Sequence, residues 1–296
     1  MVSEDEFDRV YQDVVQFMAS ELSEVPVVCT RPPGRSCLLG GFCEVALDAR
    51  EAQAIVQRRR YLSLLRMLEE LSAAGANLLD IGASPFAILA AKTLGCQVTV
   101  VDLSTVYKEL LEEYAIPLVQ CDLVRERLPL DNDSFDLIMF GEVMEHLPID
   151  PVVYLREFAR VLDREGALVL TTPNVACLKN RVRLLLGYHI SAMFGPEPDG
   201  YFGHIREYTY REVLTLLNEA GFVVQPQWSG FKMFFDNLDV WRAQGLLSSY
   251  VRSNLWRLPL LSAYRAIVWA IPSLRYGMCF VCSLPRRTNA RVTAHG

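Results

Sequence analysis

The chain has 296 residues, 51% of them apolar, and a formal net charge of −6. That apolar share excludes global disorder, and the acidic balance argues against general nucleic-acid binding. Length alone leaves open one decorated domain or two small ones.

The first residues, Met1 to Glu6, are acidic and lack an apolar core, so no secretory signal is expected and a cytoplasmic location is the default. Residues 4–22 carry a helical apolar stripe that includes Phe7, Tyr11 and Val14. A turn-rich stretch follows. A second helix is predicted over 50–72, with Tyr61, Leu62, Leu65 and Leu68 on its apolar face and Gly75 as its stop. From residue 77 strands and helices alternate. Strands are predicted at 77–81, 97–102, 116–121, 135–141 and 166–172, and helices at 85–95, 105–113 and 151–162.

Residues 175–203 depart from this alternation. A helix at 209–220 and a strand near 222–228 come next, then a mostly helical, aromatic stretch over 230–275 and a last strand at 277–284. Short strands separated by helices predict an α/β fold with a doubly wound, mostly parallel, seven-stranded sheet and right-handed crossovers. The chain then divides into a helical N-terminal extension (1–55), an α/β core (56–229), a helical insert or lid (230–276) and a last strand with a polar tail (277–296). The apolar stretch from Leu258 to Leu284 is interrupted by Arg265, Pro272 and Arg275, which makes a poor membrane-spanning helix. Met193, Phe194, Tyr201, Phe202, Phe231, Phe234 and Trp241 suit either a lid over an apolar acceptor or the core of an added helical layer.

Of eight cysteines, only Cys279 and Cys282 are spaced CxxC, inside a run that reads as a buried strand. Without a second pair nearby, no metal site is expected, and all eight are read as core or surface thiols.

The chemistry concentrates at the predicted strand ends. Asp80 closes the first strand and Gly82-Ala83-Ser84-Pro85 turns into a helix; Asp102 closes the second strand, followed by Leu103; Asp122 and Leu123 follow the third. Gly82 suits a conformation or an approach forbidden to a Cβ, and Pro85 suits the first position of a helix. A single acid at a strand end is commonly a turn or cap residue. Three in succession suit a ligand with an ammonium group and a ribose lying across the strand tips, such as S-adenosylmethionine (AdoMet). Asp80 would then accept from the ammonium, Asp102 from ribose hydroxyls and Asp122 from the adenine amino group.

The run Leu78–Ala90, together with Asp102, Asp122, Leu128–Ile138, Gly141-Glu142-Val143-Met144-Glu145-His146-Leu147, Thr171–Asn174 and Gly203–Thr209, resembles the class I AdoMet-dependent methyltransferases. It looks most like their small-molecule group, which includes ubiquinone-biosynthesis and sugar or natural-product O-methyltransferases. The resemblance covers roughly residues 60–226 and implies a Rossmann-like fold, AdoMet as methyl donor, S-adenosylhomocysteine as product and no metal. It also implies a small-molecule or lipid/sugar-linked acceptor, with oxygen favoured. One departure stands out: where the family has further glycines in the first loop, this chain has Ser84 and Phe86. Phe86 either narrows the cofactor pocket or turns into helix packing, and a pocket blocked there would favour a non-catalytic partner subunit of the same fold.

His146 and His204 are the candidate bases for an acceptor hydroxyl, with Glu145 able to orient either. Helix-start or capping roles are the bland alternatives for both. Tyr61 and Arg60 would reach the ligand carboxylate, and Gly141 and Glu142 would line the methionine side through their backbone. Residues 230–276 are a possible contact with a membrane surface or a partner protein; the oligomeric state is left open.

Overall fold

A computed structural model describes residues 3–21, 49–71, 73–190, 204–230 and 258–285. Helices α1 (Glu4–Glu21) and α2 (Ala49–Glu70) precede strand β1 (Asn77–Ile81), helix α3 (Pro85–Leu94), β2 (Gln97–Asp102), α4 (Lys108–Glu113) and β3 (Leu118–Gln120). β4 (Phe135–Gly141), a 3-10 turn at Met144–His146, α5 (Pro151–Val161), β5 (Leu162–Pro173) and α6 (Leu178–Leu185) follow. The chain continues through α7 (Tyr210–Glu219), β6 (Val223–Val224), α8 (Leu258–Ala270), a 3-10 turn at Pro272–Leu274 and β7 (Gly277–Ser283).

The strands form one seven-stranded sheet in the order β3-β2-β1-β4-β5-β7-β6. The first five run parallel, and β7 pairs antiparallel with both β5 and β6. The order reverses between β1 and β4. At such a switch point the outgoing loops diverge and leave a crevice above the carboxyl ends of the strands.

Both sheet faces are covered, so the central strands bury apolar side chains on both faces rather than on one. Leu78, Val98, Val100, Leu137, Met139 and Val169 pack toward α1, α2 and α3, whereas Leu79, Ile81, Val101, Ile138, Phe140 and Leu168 pack toward α5 and α7. Phe140 anchors the second face, with ring centroids 4.9 Å from Phe158 and 5.3 Å from Tyr154 on α5. On the first face Phe7, Tyr11 and Val14 of α1 are buried in the same cluster as Leu65 and Leu68 of α2, so the extension packs directly on the core.

The helix starts use local chemistry. Ser84 accepts from the Phe86 amide and Pro85 opens α3; Asp150 accepts from the Val152 amide at the start of α5. In α7, Thr209 and Glu212 form a reciprocal capping box. Thr209→Ala should cost about 1 kcal/mol, read as a lower denaturant midpoint with unchanged slope. An unchanged midpoint would remove the box from the account of α7.

β3 and β6 are shorter than predicted. β5 is longer, because Leu162 pairs with Phe135 ahead of a register shift. Within 175–203 the structure adds α6, which leaves Leu184, Leu185 and Leu186 exposed. Cys96, Cys121, Cys177, Cys279 and Cys282 are buried free thiols, as the sequence reading has them. Cys29, Cys37 and Cys43, the lid aromatics Met193 to Phe202 and Phe231 to Trp241, and most of the 230–276 insert lie outside the described residues. Among the described residues no helix is long and apolar enough to cross a membrane.

Candidate functional site

Four buried side-chain polar atoms among the described residues have no hydrogen-bond partner: Asp80 Oδ2, Glu145 Oε1, Thr171 Oγ1 and the Tyr154 hydroxyl. Orphans of this kind are rare and costly in folded proteins. Asp80, Glu145 and Thr171 lie at or just past the carboxyl ends of β1, β4 and β5, around the crevice at the switch point. Asp80, Thr171, Gly82, Ser84, Phe86, Gly141, Met139, Arg60, Tyr61 and Leu64 line a cleft there.

Asp80 is 3% exposed. Burial pushes its carboxyl well above the usual carboxylate range, the neighbouring Asp102 charge adds to this, and Arg60 opposes it. The loop after β1 is held from the next strand: Gly82 donates to the Val101 carbonyl at 2.8 Å, and Ala83 donates to Asp102 Oδ2 at 2.6 Å. Gly82 has φ +90°, and a Cβ there would lie 2.6 Å from Val143 Cγ2. Glycine is required on both counts.

Asp102 also accepts from Ser104 N at 2.6 Å through Oδ1, which leaves each oxygen one further lone pair. Leu103 beside it is 58% exposed. Asp122 accepts from Val124 N at 2.9 Å and organises the turn after β3, with Leu123 packed partly into the core below. The structure therefore gives Asp102 and Asp122 local structural work without removing them from the strand tips.

Phe86 is buried in the first turn of α3 against Tyr61, ring centroids 6.0 Å apart. Its ring turns into helix packing while still forming one wall of the cleft. Tyr61 is itself buried, and burial raises its phenol above the ordinary value. Arg60 stacks over Tyr61 at 5.3 Å and lies 3.6 Å from Glu142 Oε2. Glu142 has φ +57°, a left-handed conformation rare for a residue with a side chain, and its amide donates to Thr171 O at 2.9 Å. Strain of this kind costs on the order of 1–3 kcal/mol and clusters where a function requires it.

The two candidate histidines, far apart in sequence, are neighbours. Their rings are 5.0 Å apart, edge to face. The contact is fixed by backbone: Ile205 and Arg206 both donate to the Glu145 carbonyl, at 2.8 and 3.2 Å. The Glu145 side chain is fully buried, with Oε2 accepting from Thr172 Oγ1 at 3.1 Å. Burial and the Glu142 charge hold its carboxyl well above the usual range. Its Oε1 lies 4.0 Å from His146 Nε2 and 3.9 Å from His204 Nε2. The Nδ1 of His204 lies 2.9 Å from Glu207 Oε1. The N-caps of α5 and α7 are Asp150 and Thr209.

Glu207 and Thr172 stand in the sequence only inside motifs, with no role of their own. For Glu207 the spacing of three from His204 was the available signal. Thr171, Met139 and Leu64 carried no signal beyond their place on a strand or helix.

The parallel sheet with its crevice and a final antiparallel strand defines the class I AdoMet-dependent methyltransferase fold. Residues 53–227 match the methyltransferase domain family, and the chain belongs to it. It is 33% identical over 110 residues to a probable S-adenosylmethionine-dependent methyltransferase of Mycobacterium tuberculosis, an alignment covering 36% of this chain and 33% of that protein. The chain thus spans about a third of the length of the curated relatives it matches. Among solved structures, magnesium protoporphyrin IX methyltransferase from Synechocystis, with S-adenosylhomocysteine bound, superposes with a TM-score of 0.50 at 14% identity, covering 81% of this chain and 89% of that one. A sarcosine dimethylglycine methyltransferase from Galdieria sulphuraria gives a TM-score of 0.47 at 14% identity, over 76% and 85% of the two chains. At such identity the first of these likenesses speaks for the fold alone.

Proposed function

We propose that this protein is an AdoMet-dependent methyltransferase acting on a small-molecule or lipid/sugar-linked acceptor, with oxygen as the methylated atom. The observation that carries the reading is the buried, unpartnered Asp80 Oδ2 beside a glycine that has no room for a Cβ. An amino-acid ammonium group fits that oxygen, and Gly82, pinned at φ +90° against Val143, keeps the loop close beneath it.

When bound, AdoMet supplies a methyl group on a positively charged sulfur. The residues of this chain place and shield it. Asp80 accepts from the ammonium, and Tyr61 and Arg60 stand at the carboxylate end. The Gly82-Ala83-Ser84-Pro85 loop lies against the ligand backbone, and Gly141 and Glu142 flank the methionine side. Asp102 with Leu103 takes the ribose, and Asp122 with Leu123 takes the adenine. With AdoMet bound, most of the rate would come from these residues positioning the acceptor oxygen beside it. His146 and His204, beside Glu145 at the β4 end of the crevice, promote loss of the acceptor proton. Exposed Ile267 and Trp269 on α8 and the following Ile271 support contact of this segment with a membrane surface or a partner.

The test is S-adenosylhomocysteine release with phenolic, sugar-hydroxyl, carboxylate and amine acceptors. Release with hydroxyl acceptors supports the reading, and release with amines alone redirects the acceptor atom. AdoMet binding without turnover on any acceptor class would favour the non-catalytic partner subunit.

A further inference from the structure

We propose that Glu207 is the positioning residue that makes His204, rather than His146, the base for the acceptor hydroxyl. It does so by fixing the imidazole proton on Nδ1, so that Nε2 keeps its lone pair. For turnover this rests on the methyltransferase reading with oxygen as the methylated atom; the state of the ring does not.

A histidine takes a proton only through a nitrogen that carries none, and the partner of the other nitrogen decides which one that is. Glu207 Oε1 lies 2.9 Å from His204 Nδ1, and a carboxylate can only accept. The proton therefore sits on Nδ1 and the lone pair on Nε2. That nitrogen lies 3.9 Å from Glu145 Oε1, too far for a hydrogen bond. Glu145, which the sequence offers for orienting either ring, does not set the orientation of this one; Glu207 does.

Glu207 is itself held in place. Its side chain is 16% exposed. Asn180, which is buried and donates to the Val175 carbonyl at 2.9 Å, stands 3.4 Å from the other Glu207 oxygen. The backbone around the pair is tied on both sides. Ile205 and Arg206 donate to the Glu145 carbonyl, and Val175 N donates to the Tyr208 carbonyl at 3.0 Å. His204 and Glu207 thus meet in a segment that has little freedom left to lose, which is the condition for an oriented base.

The His204 side chain is 34% exposed, so an acceptor in the crevice can reach the ring. Only a proton moves to this residue. The acceptor O–H bond breaks, an N–H bond forms at Nε2, and the O–H bonding pair stays on the acceptor oxygen. The charged ring keeps its hydrogen bond to Glu207 and so does not swing away. A carboxylate acceptor, already without its proton, would gain nothing from such a pair. The arrangement points to alcohols and phenols as the acceptor class.

The test uses the full chain with ¹⁵N-labelled histidine, the His204 signals being assigned among the four histidines through His204→Gln. Long-range ¹H–¹⁵N correlations, recorded where the rings are neutral, should show the His204 proton on Nδ1. Glu207→Gln, whose amide can donate as well as accept, should give a mixture of the two tautomers at unchanged thermal stability. With AdoMet and either phenol or methyl glucoside, Glu207→Gln should lower kcat about ten- to a hundredfold at unchanged KM and AdoMet affinity. Glu207→Asp should recover part of that loss. In a His204→Gln background Glu207→Gln should cost nothing further, because it acts through the ring. A proton on Nε2 in the wild type, an unchanged tautomer ratio in Glu207→Gln, or an equal fall in kcat with and without His204 would overturn the proposal. Turnover that Glu207→Gln leaves intact defeats this inference alone. No AdoMet binding and no S-adenosylhomocysteine release with any acceptor class defeats the methyltransferase reading and leaves the tautomer assignment standing.

Discussion

Asp80→Asn should weaken AdoMet binding by roughly 30- to 150-fold and leave the protein as stable as before, or more stable. The affinity loss follows from a charge-assisted hydrogen bond worth about 2–3 kcal/mol. The stability follows from burial: Asp80 is held where its ionised form is disfavoured by desolvation and by Asp102, with only partial relief from Arg60. An amide of the same shape removes that cost. The linkage has a definite sign. A carboxyl whose folded pKa lies above its unfolded value of about 3.9 binds more protons folded than unfolded between the two values. Its contribution therefore favours folding at low pH and declines as pH rises through the folded pKa. AdoMet affinity should move the other way and rise with pH over the same window, because the ammonium requires the carboxylate. Asp80→Asn should flatten both slopes. A variant that binds AdoMet normally, or one that loses several kcal/mol of stability, would contradict this role for Asp80.

The second large effect is expected at Gly82. Gly82→Ala forces a Cβ onto a backbone at φ +90° and to 2.6 Å from Val143 Cγ2. Conformational strain and overpacking together should cost about 3 kcal/mol, a drop in Tm on the order of 5 °C for a chain of this size. The two causes separate in a double variant. Val143→Ala in the Gly82→Ala background should recover the contact share but not the φ share, so the pair should be non-additive. A Gly82→Ala protein with wild-type Tm and AdoMet affinity would show that the loop has slack this account denies it.

Most of the sheet was legible in the sequence because β1, β2 and β4 are covered on both faces and read as short, mainly apolar runs bounded by turns. Residues 77–81, 97–102 and 135–141 match the observed strands. α6 was not legible. A helix is found in sequence through a buried stripe, and Leu184, Leu185 and Leu186 are exposed. The strand-tip acids were visible as a set, but their local partners were not. That Asp102 ties down Ala83, or that Asp122 organises its own turn, depends on backbone geometry across strands. Phe86 posed two alternatives in the sequence, and its contact with Tyr61 selects helix packing. His146 and His204 looked like rival bases; only the hydrogen bonds from 205 and 206 to Glu145 make them one cluster with it.

A crystal structure with S-adenosylhomocysteine bound is the most direct test of the claim that the carboxylates at adjacent strand tips hold the cofactor. The account predicts the ligand ammonium within hydrogen-bond distance of Asp80 Oδ2 and the ribose hydroxyls on Asp102, with Phe86 still packed on Tyr61. A ligand seated away from Asp80 and Asp102, or a crevice closed by the Phe86 ring, would contradict it.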